Sequence, residues 1–296
     1  MAHGVFVGLS TIDVVYCVDE FPAPNAKVAA RSQEVYIGGP ATNAAIAFAH
    51  LGGSAALVSA AGRHALAEAI RRELRRFSVQ PLDLTPDFDG LPAISSVTVD
   101  KAGRRNVVSA NAIRVAEVSA AVDAKVLDQA RVVLVDGHSM RACQAWAAAA
   151  RARKTPVVLD GGSWKDGTAD LLSNVESAIC SADFAPPGCS GEDETIRYLK
   201  DAGVRNVAIT HGARPIRFEA GQSSGTLRVP QIEVLDTMGA GDILHGSFCH
   251  FVSIGCGFME ALAEAAIIAS ESCRYAGTRE WMNHVAAGGF AAQDVH

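Results

Sequence analysis

The chain has 296 residues, 49% of them hydrophobic and 20% charged, with a formal net charge of −6. That is length enough to bury a substantial core, and the composition excludes the disordered, collagen-like and coiled-coil classes. The acidic balance and the lack of a basic stripe argue against a nucleic-acid partner, and no apolar run reaches the roughly 18 residues of a membrane span.

The N-terminal "MAHGVFVGLSTID" carries a short apolar run and then Asp13. It lacks the basic start and long apolar stretch of a signal peptide and reads as a first strand over residues 5–10, so a cytoplasmic protein is expected. Residues 14–37 hold strand-like pieces around Pro22 and Pro24. "ATNAAIAFAHLGG" (41–53) predicts a helix closed by glycines, residues 55–62 a strand, and residues 65–77 an amphipathic helix. Residues 92–110 alternate apolar and polar and turn at "DKAG", the pattern of a half-exposed antiparallel sheet. Continuous apolar strands follow at 131–137, 155–162 and 204–212, with helical patterns at 141–153 and 191–202.

Strands apolar on both faces, alternating with helices, predict an α/β fold with a mostly parallel sheet sandwiched by helices. The two alternating segments, 13–37 and 92–110, are expected to pair into a small antiparallel β lobe. The body then comprises 1–12, 38–91 and 111–296. Seven cysteines are scattered with no C-x-x-C pair, which fits free thiols rather than a disulfide framework or zinc site. Nine histidines are also dispersed; His245 and His250, five apart, do not share a helix face, and no histidine metal site is expected.

"DTMGAGD" (236–242) precedes a helical pattern, "ILHGSFCHFVSIG". Free N–H groups and the helix dipole at such a start favour an anion, and glycine lets backbone approach a phosphate. An aspartate beside that anion is costly unless it has a task, such as accepting a proton from an attacking hydroxyl. A capped helix after a loop fits the same residues. A second stretch, "IGGPATNAAIAFAHLGG" (37–53), places Gly38 and Gly39 before Asn43 on the first helical turn. This reads either as a tight turn with a capping asparagine or as a sugar site, in which the Asn43 amide donates to and accepts from hydroxyls. Asp13 lies just past the first strand, at the strand edge where open α/β sheets bind ligands, and fits a carboxylate accepting from two hydroxyls.

Together "GLSTIDVV", "GGPATNAA", "LDGG", "ITHGA" and "DTMGAGD" resemble the PfkB-type carbohydrate kinases, the ribokinase-like fold, across essentially the whole chain. The resemblance implies a kinase that moves the γ-phosphoryl group of ATP, with Mg2+, onto a small sugar, and it makes the β lobe a substrate lid. It implies that Asp242 is the catalytic base and that Gly239, Ala240 and Gly241 form the anion hole. It makes Asp13, Gly38, Gly39 and Asn43 sugar contacts, and Thr210 and Gly212 part of the nucleotide site. Residues 274–279, "RYAGTR", match in position a loop near the nucleotide and a monovalent cation such as K+. A lid-to-lid homodimer is implied as well.

The chain departs from the family pattern in three places. An Asn-x-x-Glu motif near the metal is replaced by "SADFAPPGCSGEDE" (181–194), so no metal ligand is assigned; Glu192 or Glu194 could substitute or could mark a solvated helix start. Pro215 stands where a second glycine is common, and Ser247 where alanine or glycine is usual. Lys27 is a candidate substrate contact and also reads as a solvated lysine. Arg104 and Arg105 read as solvated hairpin charges. His138 ends a strand at the ligand edge, and Trp164 either walls the site or packs its loop.

Three other readings stay open. A nucleoside kinase would need an apolar base pocket in the lid, where Tyr16, Phe21 and Tyr36 are too few to decide. A non-catalytic sugar or nucleotide sensor fits the altered metal motif but not the retained Asp242. A dinucleotide-dependent oxidoreductase lacks its G-x-G-x-x-G after the first strand. The segment 20–45 resembles the branch of ketohexokinases and sulfofructose kinases. Few cations surround the expected site, which favours a neutral ketose or furanose over an anionic sugar.

Overall fold

The computed structural model describes residues 2–110 and 119–286; parts of the expected body, 111–118 and 287–296, lie outside the described residues. In chain order the strands are β1 (His3–Val7), β2 (Thr11–Cys17), β3 (Ser32–Gly38), β4 (Ser54–Ser59), β5 (Val79–Asp83), β6 (Ala93–Val99), β7 (Arg105–Ser109), β8 (Val132–Val135), β9 (Val157–Gly161), β10 (Ser177–Ser181), β11 (Asn206–His211), β12 (Arg214–Ala220) and β13 (Ser223–Leu227). The helices are α1 (Pro40–His50), α2 (Ala67–Arg76), α3 (Ala124–Leu127), α4 (Met140–Ala152), α5 (Thr168–Leu172), α6 (Glu192–Asp201), α7 (Ala240–Ser253) and α8 (Phe258–Ser272).

Nine strands form the main sheet in the order β13-β12-β11-β10-β9-β8-β1-β4-β5. It is parallel from β11 to β5 and ends in an antiparallel hairpin, β12–β13. Side chains alternate between two cores. Val5, Val7, Val133 and Val135 pack with Trp146 of α4 and Leu199 of α6, whereas Phe6, Val132 and Leu134 pack with Phe48 of α1 and Phe248 of α7. This double burial is why the central strands read as unbroken apolar runs.

Four strands gave weaker patterns. The β10 apolar run is only three residues long between serines, and β5 lies at the sheet edge with Gln80 and Pro81 exposed. The β12–β13 hairpin is largely exposed and turns at Gly221, with φ 58°. An edge hairpin with one wet face carries no continuous hydrophobic signal.

The second sheet has the order β3-β2-β6-β7. Its outer pairs, β2–β3 and β6–β7, are antiparallel, as the alternation implies, and its central pair, β2–β6, is parallel. The chain enters β2 after β1 and β6 after β5, two parallel strands that deliver it at the same edge of the main sheet.

Two contacts bring the distant motifs together. Gly39 has φ 100°, and a Cβ there would overlap the Leu9 carbonyl oxygen, so α1 starts hard against the end of β1. Pro40, with its fixed φ and no N–H to satisfy, suits the first turn that follows. A Cβ on Gly246 of α7 would overlap the Ala44 carbonyl oxygen of α1. The two helices therefore cross in backbone contact, and their N-terminal turns lie side by side.

Candidate active site

The crossing places Asn43 against Asp242, 199 residues later: Asn43 Nδ2 donates to Asp242 Oδ2 at 2.6 Å. Asp242 sits in the first turn of α7, which Gly239 opens in the left-handed region at φ 70° without a side-chain cap. The N–H groups of Gly241 and Asp242 fall where a helix supplies no acceptor of its own, and a Cβ on Gly241 would meet open space. A Cβ on Gly239, in contrast, would lie 2.7 Å from Thr278 Cγ2. The loop is thus closed beneath Gly239 and open above Gly241, as approach of an anion requires.

On the open side, a cavity of about 310 Å³ is lined by Ala240, Gly241, Thr210, Gly212, Leu244 and Val229 among others. It is mainly apolar, with Thr210 and His245 supplying polar edges. Thr210 Oγ1 donates to the Cys180 carbonyl at 3.3 Å, which anchors the strand end beside it.

Asp13 stands on β2, opposite Tyr36 in the sheet register, and feels the charge of Arg279, which also reaches Asn43. A Cβ on Gly38 would overlap Asp13 Oδ2, so glycine here makes room for the carboxylate. Burial pushes the Asp13 pKa up, against hydrogen bonds from Ser95 and Thr11 and the charge of Arg279. Lys27 is exposed in the loop between β2 and β3.

The Asp242 carboxyl is pushed up to about 7, first by burial and then by the nearby Asp160 carboxylate; the Asn43 hydrogen bond and His245 oppose the rise. A carboxylate so placed titrates near neutrality, where it can take a proton from a hydroxyl. Asp136 has a supporting position. Its Oδ2 accepts from Leu9 N at 2.8 Å and Ala41 N at 3.2 Å, and its Oδ1 from His138 N at 2.9 Å, tying β1, α1 and the end of β8 together.

Several side chains differ from their expected settings. Arg105 is not a solvated hairpin charge. Its Nη2 donates to Asp236 Oδ1 at 2.6 Å and so ties β7 to the "DTMGAGD" loop. Arg104 does stay in its hairpin, bonded to Asp100. Asp236 accepts in addition from Met238 N and from Gly277 N, both at 2.9 Å. Glu194 Oε2 accepts from Ser190 N and Oγ, and Glu192 meets His211 at 2.6 Å, so both are engaged at the α6 start. Trp164 packs on Phe184 and Tyr198, with ring centroids 5.5 Å away in each case. Among the described residues no cluster of three or more His, Cys, Asp or Glu side chains is placed to hold a metal.

Arg279, Glu73 and His245 also belong to this constellation; from the sequence none of them had a role at the site, His245 entering only to set aside a metal site and Arg279 only within the loop 274–279. Arg279 donates to Asn43 Oδ1 at 2.9 Å, and His245 lies one turn beyond Asp242, its Nδ1 2.7 Å from the Gly241 oxygen. The spacing Asp242–His245 puts both on one helix face, which was the one available signal.

An α/β body with a small second sheet, and an acid held at a glycine-opened helix start beside an apolar cavity, fit a phosphotransferase. A profile of the pfkB family of carbohydrate kinases matches residues 1–284. The chain belongs to that family, and so to the phosphotransferases that act on carbohydrates. Among solved structures it is similar to a candidate ribokinase from Agrobacterium tumefaciens (23% identity, TM-score 0.85, covering 96% of this chain and 98% of that one). It is also similar to Arabidopsis thaliana ribokinase complexed with ribose and ATP (19%, 0.76, 94% of each chain). A third is a candidate ribokinase II from E. coli in complex with ATP and Mg2+ (16%, 0.77, 95% and 96%). At these identities the likeness is one of fold.

Proposed function

We propose that the protein transfers the γ-phosphoryl group of ATP to a hydroxyl of a small neutral sugar, a ketose or furanose. The observation that carries this reading is the position of Asp242. It stands at the uncapped start of α7, with the cavity lined by Ala240 and Gly241 beside it and Asn43 hydrogen-bonded to it. The apolar cavity, with Thr210 and Gly212 at its edge, takes the nucleotide. In the Gly239–Ala240–Gly241 turn the Ala240 N–H donates to the Thr237 oxygen at 3.3 Å, so the N–H groups of Gly241 and Asp242 are the ones offered to the transferring phosphoryl group, where fixed dipoles stabilise developing charge. Asp13 accepts from sugar hydroxyls over Gly38 and Gly39. Asp242 removes the proton from the attacking hydroxyl, and the fold supplies alignment.

The phosphates of the nucleotide would hold Mg2+. Mg2+ characteristically keeps water and phosphate ligands and asks for few protein ones, which agrees with Glu192 and Glu194 being occupied elsewhere. The ion would neutralise phosphate charge. A monovalent cation at residues 274–279 finds a poorer fit, because the neighbouring Asp236 carboxylate already accepts from Arg105, Met238 and Gly277.

The small sheet acts as a lid over the sugar, and the Arg105–Asp236 pair holds it to the catalytic loop. Val35, Val107 and Val108 stand exposed on it, and such a sheet favours a lid-to-lid homodimer. A neutral ketose, as in the branch of ketohexokinases, is preferred over an anionic sugar. An anionic sugar would need cations in the lid, where Arg104 and Arg105 are paired with Asp100 and Asp236 and Lys27 stands exposed. A cytoplasmic site of action is part of this proposal; among the described residues no helix is long and apolar enough to span a membrane. The test is an ADP-coupled assay over fructose, tagatose, ribose, sulfofructose, fructose 6-phosphate and adenosine. Preference for a neutral sugar supports the reading. Preference for an anionic one, lost in Lys27→Ala, overturns the choice of acceptor, and preference for adenosine makes the protein a nucleoside kinase.

A further inference from the structure

A buried chain of polar groups runs behind Asp242. Arg279 donates through Nε to Glu73 Oε1 at 3.3 Å, through Nη2 to the Ile37 oxygen at 2.7 Å, and through Nη1 to Thr278 Oγ1 and Asn43 Oδ1, both at 2.9 Å. Arg279 and Glu73 side chains are only 16% and 19% exposed. The guanidinium also lies over the Phe77 ring, 5.7 Å from its centroid. The fork is therefore held by α2, the end of β3 and its own loop before it touches α1.

The chemistry of the two ends of asparagine makes this matter. An amide can turn over and exchange oxygen for nitrogen, and an Asn43 oxygen facing Asp242 would repel the carboxylate. Arginine has donors only. With Arg279 on one side, the Asn43 oxygen must face it, and Nδ2 must face Asp242. One Nδ2 hydrogen is then committed to the carboxylate and the other stays available to a ligand.

We propose that Arg279 is a positioning residue: by holding the Asn43 oxygen it commits the Asn43 amide to donate to Asp242 and fixes the carboxylate that takes the acceptor's proton. This rests on the reading of Asp242 as the base. It gives Asn43 a second duty beside contact with sugar, and it gives the loop 274–279 a function carried by its last side chain. The groups that face Asp242 are the Asp160 and Asp136 carboxylates, which disfavour its charge, and Asn43, His245 and Arg279, which favour it. Arg279 itself faces Glu73, Asp13 and Asp242, with Arg76 as the like charge.

The test follows the Asp242 carboxyl by 13C NMR titration, its signal assigned by loss in Asp242→Asn. Arg279→Met is compared in the wild-type and Asn43→Ala backgrounds, a cycle that isolates coupling between the two side chains. The titration midpoint is expected to rise by about one pH unit in Arg279→Met, the low end of the effect of a lost opposite charge and hydrogen bond. In the Asn43→Ala background the same change is expected to be less than half as large. Arg279→Lys keeps the charge without the fork and is expected to behave mostly like Arg279→Met; it carries the test alone where Arg279→Met does not fold. Equal shifts in both backgrounds, or wild-type behaviour of Arg279→Lys, would mean that Arg279 acts as a charge only and would overturn the proposal. Phosphoryl transfer by the wild type without these shifts defeats the relay and keeps the kinase; the shifts without transfer to any sugar do the reverse.

Discussion

Asp242→Asn exchanges a titrating carboxylate for a neutral group of the same shape, and its effect on stability can be worked out in advance. The Asp242 pKa lies near 7 in the fold against an ordinary 3.8, with burial the main cause and the Asp160 carboxylate the next. A carboxyl whose folded pKa is raised favours folding in its protonated form. Its stabilising influence is complete below pH 3.8 and is lost as pH rises through 7. The full difference of about three units corresponds to about 4 kcal/mol at 1.36 kcal/mol per unit. Asp242 is partly open to solvent, so screening and the Asn43 hydrogen bond reduce the expected effect to about 1–2 kcal/mol. Asparagine avoids the penalty. The gap in Tm between Asp242→Asn and wild type should therefore widen from pH 4 to pH 7 and then level off, reaching a few degrees for a protein of this size. Thermal unfolding at pH 5 and pH 8, followed by circular dichroism in the absence of ligand, measures it. A gap that is constant with pH, or that narrows toward pH 8, would refute a raised Asp242 pKa and the environment argued to cause it.

Asp13→Ala should raise the sugar KM by about 10-fold or more, as expected for loss of charged hydrogen bonds worth roughly 1.5–3 kcal/mol each, while ATP affinity changes little. Equal weakening of both substrates, in steady-state kinetics, would remove Asp13 from the sugar site. Gly38→Ala should reproduce that phenotype without touching the carboxylate chemically, because its Cβ would occupy the space of Asp13 Oδ2; an unchanged KM would contradict the geometry. Arg105→Ala should release β7 from Asp236 and increase hydrogen exchange in residues 92–110 in the free protein; exchange identical to wild type would show that the pair does not hold the lid. Sedimentation at micromolar concentration should show a dimer that Val108→Lys dissociates, and a monomeric wild type would end the lid-to-lid proposal.

Much of the main sheet was legible because its central strands are buried on both faces and carry continuous Val, Ile and Leu runs. The edge hairpin β12–β13 was not, since its residues are half-wet and its pattern is that of a loop. The parallel pairing of β2 with β6 depends on where the chain leaves the main sheet, which no local period records. At the candidate site, Asp242, Gly239 and Gly38 could be read only through the family resemblance, because glycines beside a helix start and a carboxylate also fit a capped helix or a tight turn. Arg279 could not, because an arginine in a polar loop looks solvated until the fold buries it against Glu73 and Asn43. The same applies to Arg105, whose partner is 131 residues away. Ser247 shows a different limit: it is fully buried on α7 with its hydroxyl unpaired, and nothing in the structure explains the departure from alanine or glycine.

In the proposed reaction Asp242, at the start of α7, takes the proton from the sugar hydroxyl. Turnover of Asp242→Asn with the best sugar from the ADP-coupled panel, compared with wild type at saturating ATP and sugar, tests it most directly. A fall in kcat of at least about 10²-fold is expected, the usual contribution of a positioned base, with sugar binding nearly unchanged. Near-full turnover in that variant would contradict it and reduce "DTMGAGD" to a structural turn.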